Sequence, residues 1–185
     1  MPTNCWCGNA ELLEYSEDYS RCDSCFTLVN NRIINESIYD VKNESNDLYG
    51  ANYWFKNFLD RAKMTSINEL NDHYLVGRCL YWMRCVLKYI LPPAKVVEFG
   101  GGLGQMLYLM KHAGFNQVGI ELSQKVCEYA RSAFNINMLS GTIDDLKGVY
   151  DAVLLFDVVE HLTDPVAFFI QLKKQCKTSI LYLSV

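Results

Sequence analysis

The stretch "VVEFGGGLGQM", residues 96 to 106, decides the fold: an apolar run carries an acid at its end, three glycines stand together, and a fourth follows one residue later. A dinucleotide-binding loop spaces its glycines as G-x-G-x-x-G and uses the third where helix meets strand. Counted from Gly100, that third position holds Gln105, so the frame here is G-x-G-x-G, on Gly100, Gly102 and Gly104. Glu98 stands two residues before Gly100. A carboxylate at the end of the strand repels a pyrophosphate and attracts an ammonium group. The pattern suits a nucleoside that has no phosphates but carries a free amino group and a sulfonium charge. Glu121 adds a second acid, 17 residues beyond Gly104 at the end of the next apolar run, where a carboxylate can accept ribose hydroxyls.

Outward from this loop, short apolar runs alternate with amphipathic segments. Val96 to Phe99 predicts a strand, Leu103 to Ala113 a helix closed by Gly114, and Val118 to Ile120 a second strand. Ser123 caps a helix running to about residue 132, and Ile136 to Leu139 predicts a third strand. "DAVLLF", residues 151 to 156, is apolar enough for a strand buried on both faces. Asp164 and Pro165 open another helix, and "TSILYLSV", residues 178 to 185, is the fifth strand. Strands separated by helices in this order imply right-handed crossovers and a doubly wound, parallel α/β sheet.

The 185 residues allow one sizeable core with a small accessory module. Three regions follow from composition: residues 1–30, 31–94 and 95–185. In the middle one, "SINE" at residues 66 to 69 is a capping-box signal. It opens a helix with Leu70, Tyr74, Leu80, Met83, Leu87 and Ile90 at helical spacing, stopped by Pro92 and Pro93. Upstream, "LYGANYWF", residues 48 to 55, is dense in aromatics and serves either as packing or as a lid, with Tyr53 placed to reach over a ligand.

The first region holds Cys5, Cys7, Cys22 and Cys25, spaced C-x-C-x14-C-x-x-C, with few apolar residues to build a core. Two short thiolate pairs separated by a loop are how small modules assemble a tetrahedral zinc site, and four protein ligands make it structural. A redox role for "CDSC" is the alternative. Cys79, Cys85, Cys127 and Cys176 lie in apolar surroundings and are expected to be small buried hydrophobes.

A net charge of −4 and a pI near 5.4 argue against nucleic acid as a partner. No apolar run approaches the roughly 18 residues of a membrane span, so no membrane association is expected. The acidic start has no apolar signal core, and eight cysteines without a signal suit a reducing compartment, the cytoplasm.

The chain resembles the class I S-adenosylmethionine-dependent methyltransferases. "VVEFGGGLG" matches their first motif, "VGIELS" the second, and "YDAVLLFDVVEHLTDP" the fourth strand with its following loop, over about residues 94 to 185. The cysteine cluster and aromatic region are also similar to a subgroup in which a four-cysteine zinc module precedes the methyltransferase domain. That subgroup includes enzymes that methylate nucleotide-linked deoxysugars at carbon. The resemblance implies S-adenosylmethionine as cofactor and a small-molecule acceptor, with a nucleotide-linked or glycan sugar favoured. It implies that Glu98, Gly100, Gly102 and Gly104 line the methionine part of the cofactor, and Glu121 with Leu122 the ribose and adenine. Thr142 and Ile143 would border the adenine, and Phe156 and Asp157 would lie by the methionine moiety. Asp144 and Asp145 serve either as adenine contacts or as a solvated helix start.

"DVVEH", residues 157 to 161, lies where the family places its reacting groups. His161, with Glu160 beside it, is the candidate base, since imidazole takes a proton near neutral pH. The alternatives are a buttressing His161 and a divalent metal held by Asp157, Glu160 and His161. The family's sheet has seven strands, whereas this chain is expected to stop after the fifth. A catalytically silent cofactor-binding or scaffolding module is therefore the competing reading.

Overall fold

The computed structural model describes residues 4–32, 40–146, 148–178 and 180–185. They fall into two units, Met1–Ile38 and Tyr39–Val185. In the first, β1 (Leu12–Glu14), β2 (Tyr19–Cys22) and β3 (Leu28–Asn30) form an antiparallel meander in the order β1-β2-β3. The turn between β1 and β2 is held by Ser16, whose hydroxyl accepts from the Tyr19 amide at 3.1 Å.

The second unit begins its regular structure with a π-helical turn, Tyr53–Asn57, that runs into α1 (Phe58–Ala62). Then come α2 (Ile67–Tyr74), a second π-helical turn at Leu75–Cys79, and α3 (Leu80–Val86). The single helix expected from Ser66 to Ile90 is thus interrupted, and it ends at Val86. Gly77 lies in the interrupting turn, where its backbone freedom weakens the helical register. The capping signal is partly rewired. The Ser66 hydroxyl accepts from the Glu69 amide at 3.2 Å, but the Glu69 carboxylate reaches the Thr65 amide at 2.8 Å rather than that of Ser66.

The remaining elements are β4 (Lys95–Phe99), α4 (Gln105–His112), β5 (Asn116–Glu121), α5 (Gln124–Phe134), β6 (Met138–Ser140), β7 (Gly148–Val149), β8 (Ala152–Phe156), α6 (Pro165–Gln175), β9 (Cys176–Lys177) and β10 (Ile180–Ser184). The helix α4 starts two residues later than expected because Gly104 adopts φ +90°, outside helical space. Ser123 caps α5 by accepting from the Val126 amide at 3.2 Å, and Asp164 caps α6 by accepting from Ala167 at 2.8 Å.

The main sheet has five strands in the order β10-β8-β4-β5-β6, all parallel, and a short β7–β9 pair lies outside it. Alternation along β4 and β8 divides the core. Val96, Ala152, Leu154 and Phe156 pack with Met83, Val86, Met106 and Met110 on one face. Val97, Phe99, Val153 and Leu155 pack with Ile143, Leu146 and Leu172 on the other. Both faces are covered, as a doubly wound α/β fold requires. Among the described residues no helix is long and apolar enough to cross a membrane.

Candidate functional site

The chain leaves β4 towards β5, while β8 joins the opposite edge of β4, so strand order reverses between β4 and β8. Ligands of open α/β sheets bind outside the carboxyl ends of the strands at such a reversal. There the glycine loop, residues 100–104, meets the loop that begins at Asp157.

The loop turns tightly against β5: Gly100 and Gly101 both donate to the Ile120 carbonyl, at 2.8 and 3.2 Å. Two of its glycines are required by their surroundings as well as by their backbone. Gly100 has φ +68°, and a Cβ there would lie 2.7 Å from the Val158 side chain; Gly102 has φ +50°, and a Cβ there would meet the Trp54 ring at 2.8 Å.

Glu98 is buried, and its Oε2 has no hydrogen-bond partner. Burial, reinforced by the Glu121 carboxylate, raises its pKa to about 8. Glu121 is also buried but is partnered by backbone: its Oε2 accepts from Gly102 at 3.0 Å, and its Oε1 from Leu122 at 2.8 Å and Ser123 at 3.3 Å. Burial raises its pKa, against the pull of those amides. A carboxylate oxygen has two lone pairs, so Oε2 keeps capacity for a hydroxyl donor. The structure brings Glu98, Gly100, Gly102, Gly104, Glu121 and Leu122 together at this end of the sheet.

The other expected contacts fall differently. Thr142 caps the short turn Ile143–Asp145, its hydroxyl accepting from Asp144 at 3.3 Å while Asp145 accepts from the Thr142 amide at 2.7 Å. The Ile143 side chain is buried in the core. Asp144 and Asp145 are exposed in the first turn of the short helix Ile143–Asp145, where Asp144 accepts from Gln171 of α6 at 2.5 Å. Phe156 stacks on Trp82 with ring centroids 4.3 Å apart and planes 7° from parallel. Asp157 has φ +54°, and its carboxylate accepts from the Ser184 hydroxyl at 2.9 Å and pairs with Arg78, which itself lies over Trp82. His161 and Glu160 are 3.9 Å apart, close enough for an ion pair but not for a hydrogen bond, and the Tyr49 ring stands edge-on to His161 at 5.8 Å.

In the first unit the sulfurs of Cys5, Cys7, Cys22 and Cys25 lie within 4.8 Å of one another. Among the described residues this is the one convergence of three or more Cys, His, Asp or Glu ligand atoms; Asp157, Glu160 and His161 do not form another. The Cys5–Cys25 and Cys7–Cys22 sulfurs are 3.5 and 3.6 Å apart. Tetrahedral zinc with Zn–S bonds of about 2.3 Å sets its sulfurs about 3.8 Å apart. The thiols are shifted apart: the Cys25 backbone N–H pulls the Cys22 pKa down to about 6, whereas, against the pull of the Asn9 backbone, the neighbouring thiols hold that of Cys7 at about 12. Cys79, Cys127 and Cys176 are buried and Cys85 half-buried, as small hydrophobes.

Several residues around the site carried no local sequence signal. Glu44 accepts from the Ser123 hydroxyl at 2.5 Å, the Lys125 amide at 3.2 Å and the Ala51 amide at 3.0 Å, which pins the aromatic segment to the start of α5. Gln105 donates to Asn71 at 2.8 Å, and Asn71 to the Tyr129 hydroxyl at 2.9 Å, linking α4, α2 and α5 beneath the loop.

Taken together, the five-stranded parallel sheet carries an acid-flanked glycine loop at its reversal point, where open α/β sheets bind their ligands. Residues 72–185 match the model of the family described as "Methyltransferase domain", and the chain belongs to that family. It is 26% identical over 133 residues to the ubiquinone biosynthesis O-methyltransferase of Rickettsia canadensis (strain McKiel), covering 68% of this chain and 54% of that protein. The protein of that name from Xanthomonas campestris pv. campestris (strain B100) is 25% identical over 126 residues, covering 63% of this chain and 48% of its own. The chain thus spans about half the length of the curated relatives it matches. Its fold is that of the magnesium protoporphyrin IX methyltransferase of Synechocystis PCC 6803 solved with bound SAM (TM-score 0.53, 18% identity, 75% of each chain). It is also that of a SAM-dependent methyltransferase from Archaeoglobus fulgidus (TM-score 0.50, 20% identity, 67% of this chain and 55% of that one).

Proposed function

We propose that the chain binds S-adenosylmethionine at the glycine loop and directs its methyl group to a small-molecule acceptor. The observation that carries this is Glu98: a buried carboxylate with a free oxygen, beside a loop whose glycines bring no side chains of their own. An orphaned buried acceptor is completed by a cation, and the ammonium of an amino acid suits it where a phosphate would not. Glu121, through its remaining lone pairs, would hold the ribose. S-adenosylmethionine bound there supplies an electrophilic methyl group on a sulfonium.

What the chain's own groups do is position and deprotonate. His161 would take the acceptor's proton, with Glu160 beside it at 3.9 Å. Asp157, held by Arg78 and Ser184, would fix the loop that presents His161. The relatives are named as O-methyltransferases, which supports oxygen as one receiving atom. The resemblance of the cysteine module and aromatic segment to the sugar-methylating subgroup is what supports a nucleotide-linked or glycan sugar as the acceptor. The first unit would be a structural zinc module, and the buried free thiols suit a cytoplasmic setting.

Transfer of labelled methyl from S-adenosylmethionine into parallel panels of nucleotide sugars and ubiquinone precursors tests this. Label should enter at least one panel, and His161→Ala should cut the rate by about 100-fold or more. Cofactor binding without transfer into any acceptor would favour a silent binding module, and unchanged transfer by His161→Ala would remove the base assignment.

A further inference from the structure

Among the described residues, three buried side-chain polar atoms have no hydrogen-bond partner: Glu98 Oε2, Trp54 Nε1 and Gln117 Oε1. Gln117 lies near the start of β5, away from its carboxyl end. Glu98 stands just before the glycine loop and the Trp54 ring meets that loop at Gly102, and their unpaired atoms are complementary: one accepts and the other only donates. An unpaired buried N–H is costly, and native structures keep one where something completes it.

Trp54 comes from the first π-helical turn, a distortion that recurs at functional sites. Its six-membered ring lies against Gly102, and the indole packs in a cluster with Leu70 and Leu103. Tyr53 and Phe58 stand edge-on to it, with centroids 5.1 and 5.7 Å away. The segment just before it is pinned by Glu44, which joins the Ala51 amide to the Ser123 hydroxyl beside Glu121. The ring is therefore held in place before any ligand arrives. An α-amino acid offers one ammonium and one carboxylate. If Glu98 takes the ammonium, the carboxylate beside it needs a donor, and a neutral N–H is one of the few that adds no charge to a buried site.

We propose that Trp54, through its indole N–H, binds the carboxylate at the amino-acid end of the cofactor, across the loop from Glu98. This inference rests on the cofactor reading given above. It makes Trp54 a specificity-determining residue: the loop selects a complete amino acid, not merely an amine on a nucleoside.

The test measures binding rather than turnover, by calorimetry on the full chain. Wild type and Trp54→Phe are each titrated with S-adenosylmethionine and with decarboxylated S-adenosylmethionine, which keeps the amine and sulfonium. A variant with 3-benzothienylalanine at position 54, which replaces the N–H by sulfur on the same bicyclic frame, guards against repacking. Both variants should bind S-adenosylmethionine about 10- to 100-fold more weakly and the decarboxylated ligand as wild type does. Equal weakening for both ligands, or no weakening for either, overturns the Trp54 assignment while leaving the cofactor reading intact. Wild type that binds neither ligand overturns the cofactor reading and this inference with it.

Discussion

In the N-terminal unit, strands of three or four residues bury almost nothing: Trp6, Leu13, Tyr15 and Phe26 stay exposed, and the residues best hidden are Cys5 and Cys22. In the main sheet, every residue of β8 is buried, and two apolar clusters cover its faces. Among its described residues the first unit has no apolar core to fold around, so its order would come from four sulfurs meeting at one point. The second is ordered by layers of side chains, and its functional atoms sit at the ends of strands that packing has already fixed. The lesson is that burial is tolerated differently in the two. The first unit buries two of the four thiols that converge at one point, Cys5 and Cys22. The second buries two carboxylates: three backbone amides donate to Glu121, while Glu98 keeps one oxygen without a partner.

Removing metal should separate the units most sharply. Structural zinc contributes about 10–16 kcal/mol of apparent binding free energy in small modules. A strong chelator, or Cys22→Ser, should therefore unfold the first unit. Limited proteolysis should then cut within residues 4–32, while the thermal transition of the sheet stays in place. A sheet transition that fell equally would mean that the units are not independent. Within the second unit, Leu154→Ala removes a fully buried side chain from the inner strand β8 and should cost about 2–5 kcal/mol in denaturant unfolding, with metal content unchanged. The smallest effect is expected at the helix start. Ser123→Ala deletes the cap of α5 and should cost about 1 kcal/mol. A larger loss would show that the Glu44 contact to Ser123 holds more than the cap.

The parallel sheet, the caps at Ser123 and Asp164, and the positions of Glu98 and Glu121 were legible because each is set by neighbours in sequence. Apolar runs define strands, and an acid at the end of a run arrives at the edge of the sheet. Helix α4 was misjudged at its start because Leu103 and Gly104 continue the apolar pattern, while the left-handed backbone of Gly104 forbids the helix. The break at Leu75–Cys79 is a backbone distortion, and amphipathic periodicity does not register it. The rest of the site is built from long-range contacts. Arg78 and Asp157 are 79 residues apart, Asn71 and Tyr129 58, and Glu44 and Ser123 79. Such pairs follow from how α2 and the aromatic segment lie on the sheet, which no local spacing encodes. Trp54 was visible only as one ring in an aromatic run; its place over Gly102 is tertiary.

The account turns on Glu98, and its protonation supplies the most direct test. Its pKa in the folded protein, about 8, stands above the usual carboxylate value of 4.5. A raised pKa means that the stability tied to the bound proton is complete below about pH 4.5 and is lost as pH rises through about 8. An ammonium ligand requires the ionised form, so binding at neutral pH must release that proton. Calorimetric titration with S-adenosylmethionine, in buffers of different ionisation enthalpy from about pH 6 to about pH 9, measures both affinity and proton release. Affinity should rise with pH to a maximum near 8, then fall as the ligand's amine loses its own proton at about 7.7–8.0. About one proton should be released per ligand on the rising limb. Glu98→Gln should bind more weakly and lose that limb. Affinity that declines from neutral pH upward, or binding of NAD in place of S-adenosylmethionine, would contradict the account.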